Sequence, residues 1–195
     1  MKSTKNSIEV KKLTYIAILT ALTFALQFVS VPLFGIASIT FALVPIVLGA
    51  ALAGPVAGLW LGLVFGFAVL LHPSTAVFYG FSALGTIVTV LVKGAVSGFV
   101  TGVVYRALSR GNRTLSAVVS AVVCPLVNTG IFLVGCRIFF WDLLAEWAAE
   151  SYGGNVVAYA FLGLVGANIL FEIAFNLILV PVILRILEMQ SKKAE

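Results

Sequence analysis

Charge is scarce in this chain: 10% of its 195 residues are Asp, Glu, Lys or Arg, against roughly a quarter in a soluble domain. Histidine occurs once and cysteine twice. One histidine cannot build an HExxH zinc helix. Cys124 and Cys136 both lie in apolar segments, so no disulfide framework or CxxC metal knuckle is available. There is no Gly-x4-Gly-Lys-Ser/Thr loop, so the chain has no ATPase site of its own. Gly94-Ala-Val-Ser97-Gly98 lacks the Gly-x-Ser-x-Gly spacing of a serine hydrolase, and His72 falls in a loop. No intramembrane carboxylate neighbours Glu172, which removes acid-pair chemistry. No catalytic residue, cofactor or metal site is therefore expected, and an enzyme is a poor fit.

What is abundant is apolar surface. At 62% apolar residues and a mean hydropathy of +1.17, the chain has more apolar side chains than a soluble fold of this size hides. The composition defines an integral membrane protein. Predominantly apolar runs extend over about 13–29, 40–52, 55–71, 81–108 (interrupted by Lys93), 114–140 and 156–188. A spanning helix needs about 20 apolar residues, so the second and third runs are short and imply a tilt or a re-entrant tip. Barrel strands would alternate over about ten residues, whereas these runs are continuously apolar. The expected fold is a single all-α membrane domain over 1–195 with six transmembrane helices. Ser30, Pro32, Gly35 and Ser38 read as a loop, as do His72–Tyr79 and Trp141–Tyr152.

The few charges then sort by side. Lys2, Lys5, Lys11 and Lys12 precede the first run, Arg106, Arg110 and Arg113 separate the fourth from the fifth, and Arg185, Lys192 and Lys193 follow the sixth. With six spans these ten of twelve basic residues share one side, and the positive-inside rule makes both termini cytoplasmic. Asp142, Glu146 and Glu150 occupy the other side, with Trp141, Trp147, Tyr152 and Tyr159 at the level of an outer aromatic belt. The basic pI of about 9.4 is thus a topology signal and not a nucleic-acid footprint. Lysines before an apolar run also suit a secretory signal, but the first run exceeds the usual h-region of about 7–15 residues.

Small residues recur at every fourth position. Ala17, Ala21 and Ala25 form one row and Gly54, Gly58, Gly62 and Gly66 another. Residues four apart share a helix face, and small faces let helices approach closely in lipid. The glycine row reads best as internal packing. The alanine row, on a first helix at the bundle edge, can serve packing or another protein.

Four polar residues sit deep in the apolar runs, where ionisable groups mark functional sites by default. Counted from the cytoplasmic ends at about 1.5 Å per residue, Lys93 and Asn128 lie roughly 22 Å up, Glu172 roughly 20 Å and Asn168 roughly 25 Å. A cation, an anion and two amides therefore share one layer, and Asn168, Glu172 and Asn176 share one helix face. Two readings follow: a Lys93–Glu172 pair that neutralises itself, or a pocket for a small polar solute. In the pocket reading Phe132, one turn outward of Asn128, adds apolar contact, while His72 and Tyr79 belong to an outer loop able to cover the mouth.

The arrangement resembles the S component, the substrate-binding membrane subunit, of energy-coupling factor (ECF) vitamin transporters. The resemblance runs through Ala17-x-x-x-Ala21 with Ala25, Val44-Pro-Ile-Val-Leu-Gly49 leading to Gly54-Pro-Val-Ala-Gly58, Asn128-Thr129, and Asn168-Ile-Leu-Phe-Glu172 running into Leu179-Val-Pro181. The pantothenate-type branch is the most similar, although arginine is more typical there at the position of Lys93. The resemblance implies capture of a vitamin from outside at a multi-pass site in a prokaryotic plasma membrane. Pantothenate comes first, with a B6 vitamer or riboflavin as alternatives. It also implies delivery through a membrane scaffold subunit with two cytoplasmic ATPases, docking on Ala17, Ala21 and Ala25, and toppling in the bilayer to release cargo. A stand-alone permease is the rival class, but no convincing internal repeat supports it.

Overall fold

The computed structural model describes residues 2–34 and 37–192, with side chains at 10, 12–29 and 41–189. Gly35 and Lys193, and the side chains of Lys2, Lys5, Lys11 and Lys192, lie outside the described residues. Ten helices make up nearly all of the described chain. They are α1 (Lys2–Phe28), α2 (Leu43–Ala53), α3 (Pro55–Leu70), α4 (Ala76–Phe81), α5 (Ala83–Leu108), α6 (Arg113–Phe139), α7 (Trp141–Ser151), α8 (Val156–Ala158), α9 (Gly166–Ile178) and α10 (Val180–Lys192).

Among the described residues, three helical stretches are long and apolar enough to cross a membrane: Ala83–Leu108, Arg113–Phe139 and the composite Val156–Met189. A fourth results if α3 and the segment Pro73–Phe81, bent by 75°, form one broken span. The helix starts follow local chemistry. The Ser82 hydroxyl accepts from Gly85 N–H at 3.2 Å and the Asn112 side chain from Leu115 N–H at 3.0 Å, satisfying donors left free at the first turn. Pro55 opens α3 directly after Gly54, whose φ of 91° ends α2.

Three segments depart from the loops expected of them. Ser30–Phe34 (β1) and Ala37–Thr40 (β2) pair as a short antiparallel hairpin in an otherwise helical fold, so Thr40 belongs to a strand and not to the second helix. The valine, isoleucine and aromatic content of the stretch suits strands better than its proline suggests. Pro73–Thr75 is a 3-10 turn that leads into α4. Trp141–Ser151 is a helix because Leu143, Leu144 and Ala148 are buried at helical spacing while Asp142, Glu146 and Glu150 are exposed.

The tightest packing is between α3 and α5. A Cβ on Gly58 would fall on the Gly98 carbonyl and one on Gly62 on the Gly94 carbonyl, and the same holds in reverse. Backbone meets backbone along this seam, so dispersion contacts are made without intervening side chains. Ser97 and Thr101 are buried in the same region and hydrogen-bond to carbonyls of their own helix, at 2.9 and 2.6 Å. Around this seam Leu43, Ile46, Leu61, Phe65, Cys124 and Ile183 form an apolar core drawn from α2, α3, α6 and α10.

Candidate solute-binding site

A cavity of about 150 Å³ opens between α3, α5, α6 and α9, beside the 3-10 turn and α4. Helix α5 contributes Thr86, Thr89, Val90 and Lys93, which recur at i, i+3, i+4 and i+7 on one face. Helix α6 adds Asn128, Thr129 and Phe132, and α9 adds Asn168 and Glu172. Gln27 at the end of α1 and Ser74 and Thr75 of the 3-10 turn complete the polar lining. Pro125 lies within α6, one turn before Asn128.

A π turn at Tyr159–Leu164 brings Leu164 and Val165 to the cavity wall just before α9. Such widened turns recur at functional sites. Gly166 is required here, since a Cβ at this position would sit 2.6 Å from the Phe161 carbonyl.

An aromatic cluster covers the cavity. Phe78 meets Phe140 edge-on at 5.1 Å, Trp147 at 5.9 Å and Phe132 at 6.0 Å between ring centroids. Edge-to-face rings are attractive beyond the area they bury. The α4 and α7 segments are therefore held together beside the cavity by apolar contact.

The polar lining is incompletely satisfied by the protein. The Asn168 amide donates to Glu172 Oε1 at 3.4 Å. Thr89 Oγ1, Asn128 Oδ1, Asn168 Oδ1 and Glu172 Oε2 are buried and have no hydrogen-bond partner among the described residues. Each such group costs about 1–3 kcal/mol if left unpaired, and all four belong to residues that line one cavity. Lys93 Nζ stands 4.8 Å from the Phe132 ring centroid and 5.9 Å from that of Phe65. No direct ion pair joins it to Glu172, although the two lie within electrostatic reach of each other.

Lys93, Asn128, Phe132, Asn168 and Glu172 thus converge on one space. His72 and Tyr79 do not line it. The His72 ring instead lies 2.8 Å from the Ser74 hydroxyl through Nδ1, and its neighbours Ser74, Thr75 and Phe78 face the cavity. Asn176 is buried one turn beyond Glu172, outside the lining, with Nδ2 unpartnered. Thr86, Thr89 and Gln27 join the site without standing out in the sequence. A signal for the two threonines exists there, because they extend the Lys93 face by one and two turns.

Long apolar helices enclosing a cavity with unpaired oxygens and one ammonium group define a polytopic membrane protein with a candidate site for a small molecule. The chain belongs to the family of ECF transporter substrate-specific components, whose family model matches residues 11–184. No curated protein and no solved structure matches the chain. Membership makes it the solute-selecting part of a transporter whose ATP hydrolysis lies in partner subunits.

Proposed function

We propose that the chain captures pantothenate from outside a prokaryotic plasma membrane and releases it inward through a scaffold subunit driven by two cytoplasmic ATPases. The observation that carries the ligand class is the cavity lining: one ammonium group together with four unpartnered oxygens. The ammonium group suits a carboxylate, and the oxygens suit hydroxyl and amide donors at the other end of the same molecule.

Unphosphorylated B6 vitamers offer Lys93 no carboxylate. Mass spectrometry of small molecules copurifying with the full chain tests the assignment: pantothenate is expected, and a different bound solute displaces it.

In this reading the membrane domain spans 1–195 with six crossings and cytoplasmic termini, supported by the one-sided distribution of basic residues. Ala17, Ala21 and Ala25 are exposed along α1, and this face is the proposed contact with the scaffold. Ala21→Trp is expected to abolish ATP-dependent uptake while leaving pantothenate binding by the isolated chain intact. Uptake that survives the bulky residue would make the face a packing surface only.

A further inference from the structure

The site holds one positive and one negative side chain, and its solute brings a second negative charge. We infer that Glu172 is a neutral carboxylic acid in the bound state, so that wherever the free site is ionised each monoanionic solute enters the cavity together with one proton. The inference rests on the proposal that the solute is a carboxylate.

The geometry excludes a simpler balance. Lys93 and Glu172 line the same cavity without pairing. Lys93 lies against two aromatic rings, available to a solute carboxylate. Glu172 is 4% exposed, and its Oε1 takes a neutral amide donor while Oε2 has none. If both side chains stayed ionised, the occupied site would carry two anions and one cation away from water. An uncompensated buried charge costs several kcal/mol, and a group so placed neutralises instead.

No second cation is at hand among the described residues. Helix α9 packs on α6, β2, the π turn, α10 and α2. Strand β2 and α2 carry no titratable residue, and the π turn carries Tyr159, whose ring meets Trp147 and Tyr152. From α6 the ionisable group within electrostatic reach of Glu172 is Cys124, and from α5 it is Lys93. Arg185 and Glu188 of α10 are exposed and more than three turns away along the chain. The remaining counter-charge is a proton from the outer aqueous phase. It adds to the Glu172 carboxylate, no other bond changes, and the occupied site returns to net zero. The new O–H also makes Oε2 a donor, which a solute carbonyl or hydroxyl oxygen accepts.

Calorimetric titration of pantothenate into the purified full chain, in phosphate and in Tris at one alkaline pH where the free carboxyl is ionised, counts the protons. The difference in apparent enthalpy is expected to report about one proton taken up per solute, and the Kd to rise about tenfold per pH unit on the alkaline side. Glu172→Gln keeps the donor but cannot titrate. Its proton uptake is expected to fall to zero, with a Kd flat over that range. Binding without proton uptake in the wild type overturns the inference and leaves the pantothenate reading standing, as does proton uptake that persists in E172Q. No binding of pantothenate at all overturns the reading and the inference together. If E172Q fails to fold, the two-buffer comparison on the wild type decides alone.

Discussion

Pantothenate affinity is expected to fall about a hundredfold in Lys93→Met, read by calorimetry on the purified chain. The methionine keeps the contact with Phe132 and Phe65 and removes the charge. A hydrogen bond to a charged group contributes about 1.5–3 kcal/mol, and the solute carboxylate would also be left desolvated and unpaired. Together these correspond to a loss of roughly ten- to several-hundredfold. Asn128→Ala removes an uncharged partner and should cost about tenfold, near the lower end of the same scale. Wild-type affinity in both variants would remove the cavity from the binding role, provided that thermal melting shows them folded.

Gly62→Val is expected to prevent recovery of folded, monodisperse protein. The first added carbon would fall on the Gly94 carbonyl, which belongs to a rigid helix backbone and cannot rotate aside. Overpacking a flexible core costs about 1–3 kcal/mol, and a backbone clash on the main helix seam should exceed that range. Gly130→Ala is the control. Its position on α6 is exposed with nothing within 4 Å of an added Cβ, so the change should be neutral or stabilising by about 0.5–1 kcal/mol. Equal melting temperatures for the Gly62 variant and the wild type would show that α3 and α5 separate without consequence.

Seam and cavity are successive links in one chain of cause. The glycine seam holds α5 against α3, and this brings Lys93 to the rings of Phe65 and Phe132. A lysine on a helix that could slide or rotate would not present its ammonium group to a solute at a fixed place. In the proposed reading, stability of the seam is thus a condition for selectivity at the cavity.

Much of the site is legible in the sequence. Lys93, Asn128, Asn168 and Glu172 stand out because their surroundings are so apolar, and the fixed helical rise puts them at one depth. Thr86 and Thr89 do not stand out, because threonine in an apolar helix usually bonds to its own backbone. Thr86 does so, through Ser82 O at 2.7 Å, whereas Thr89 Oγ1 has no partner. The segments of α4 and α7 are hard to read for another reason. Their polar and aromatic residues resemble a loop, while the helical pattern of Leu143, Leu144, Trp147 and Ala148 lies within a single short helix.

By itself the sequence determined the solvent of this protein, its long apolar helices and the depth of its buried polar groups. These follow from composition and from the rise per residue, which are local. Only the tertiary structure decided that Lys93 and Glu172 face one cavity without pairing, that four oxygens there lack partners, and that His72 and Tyr79 stand outside it. Depth along a helix is set by counting residues. The direction a side chain faces, and the neighbour it meets, depend on how helices rotate against one another, and here the contact of Gly58 and Gly62 with Gly98 and Gly94 sets that rotation.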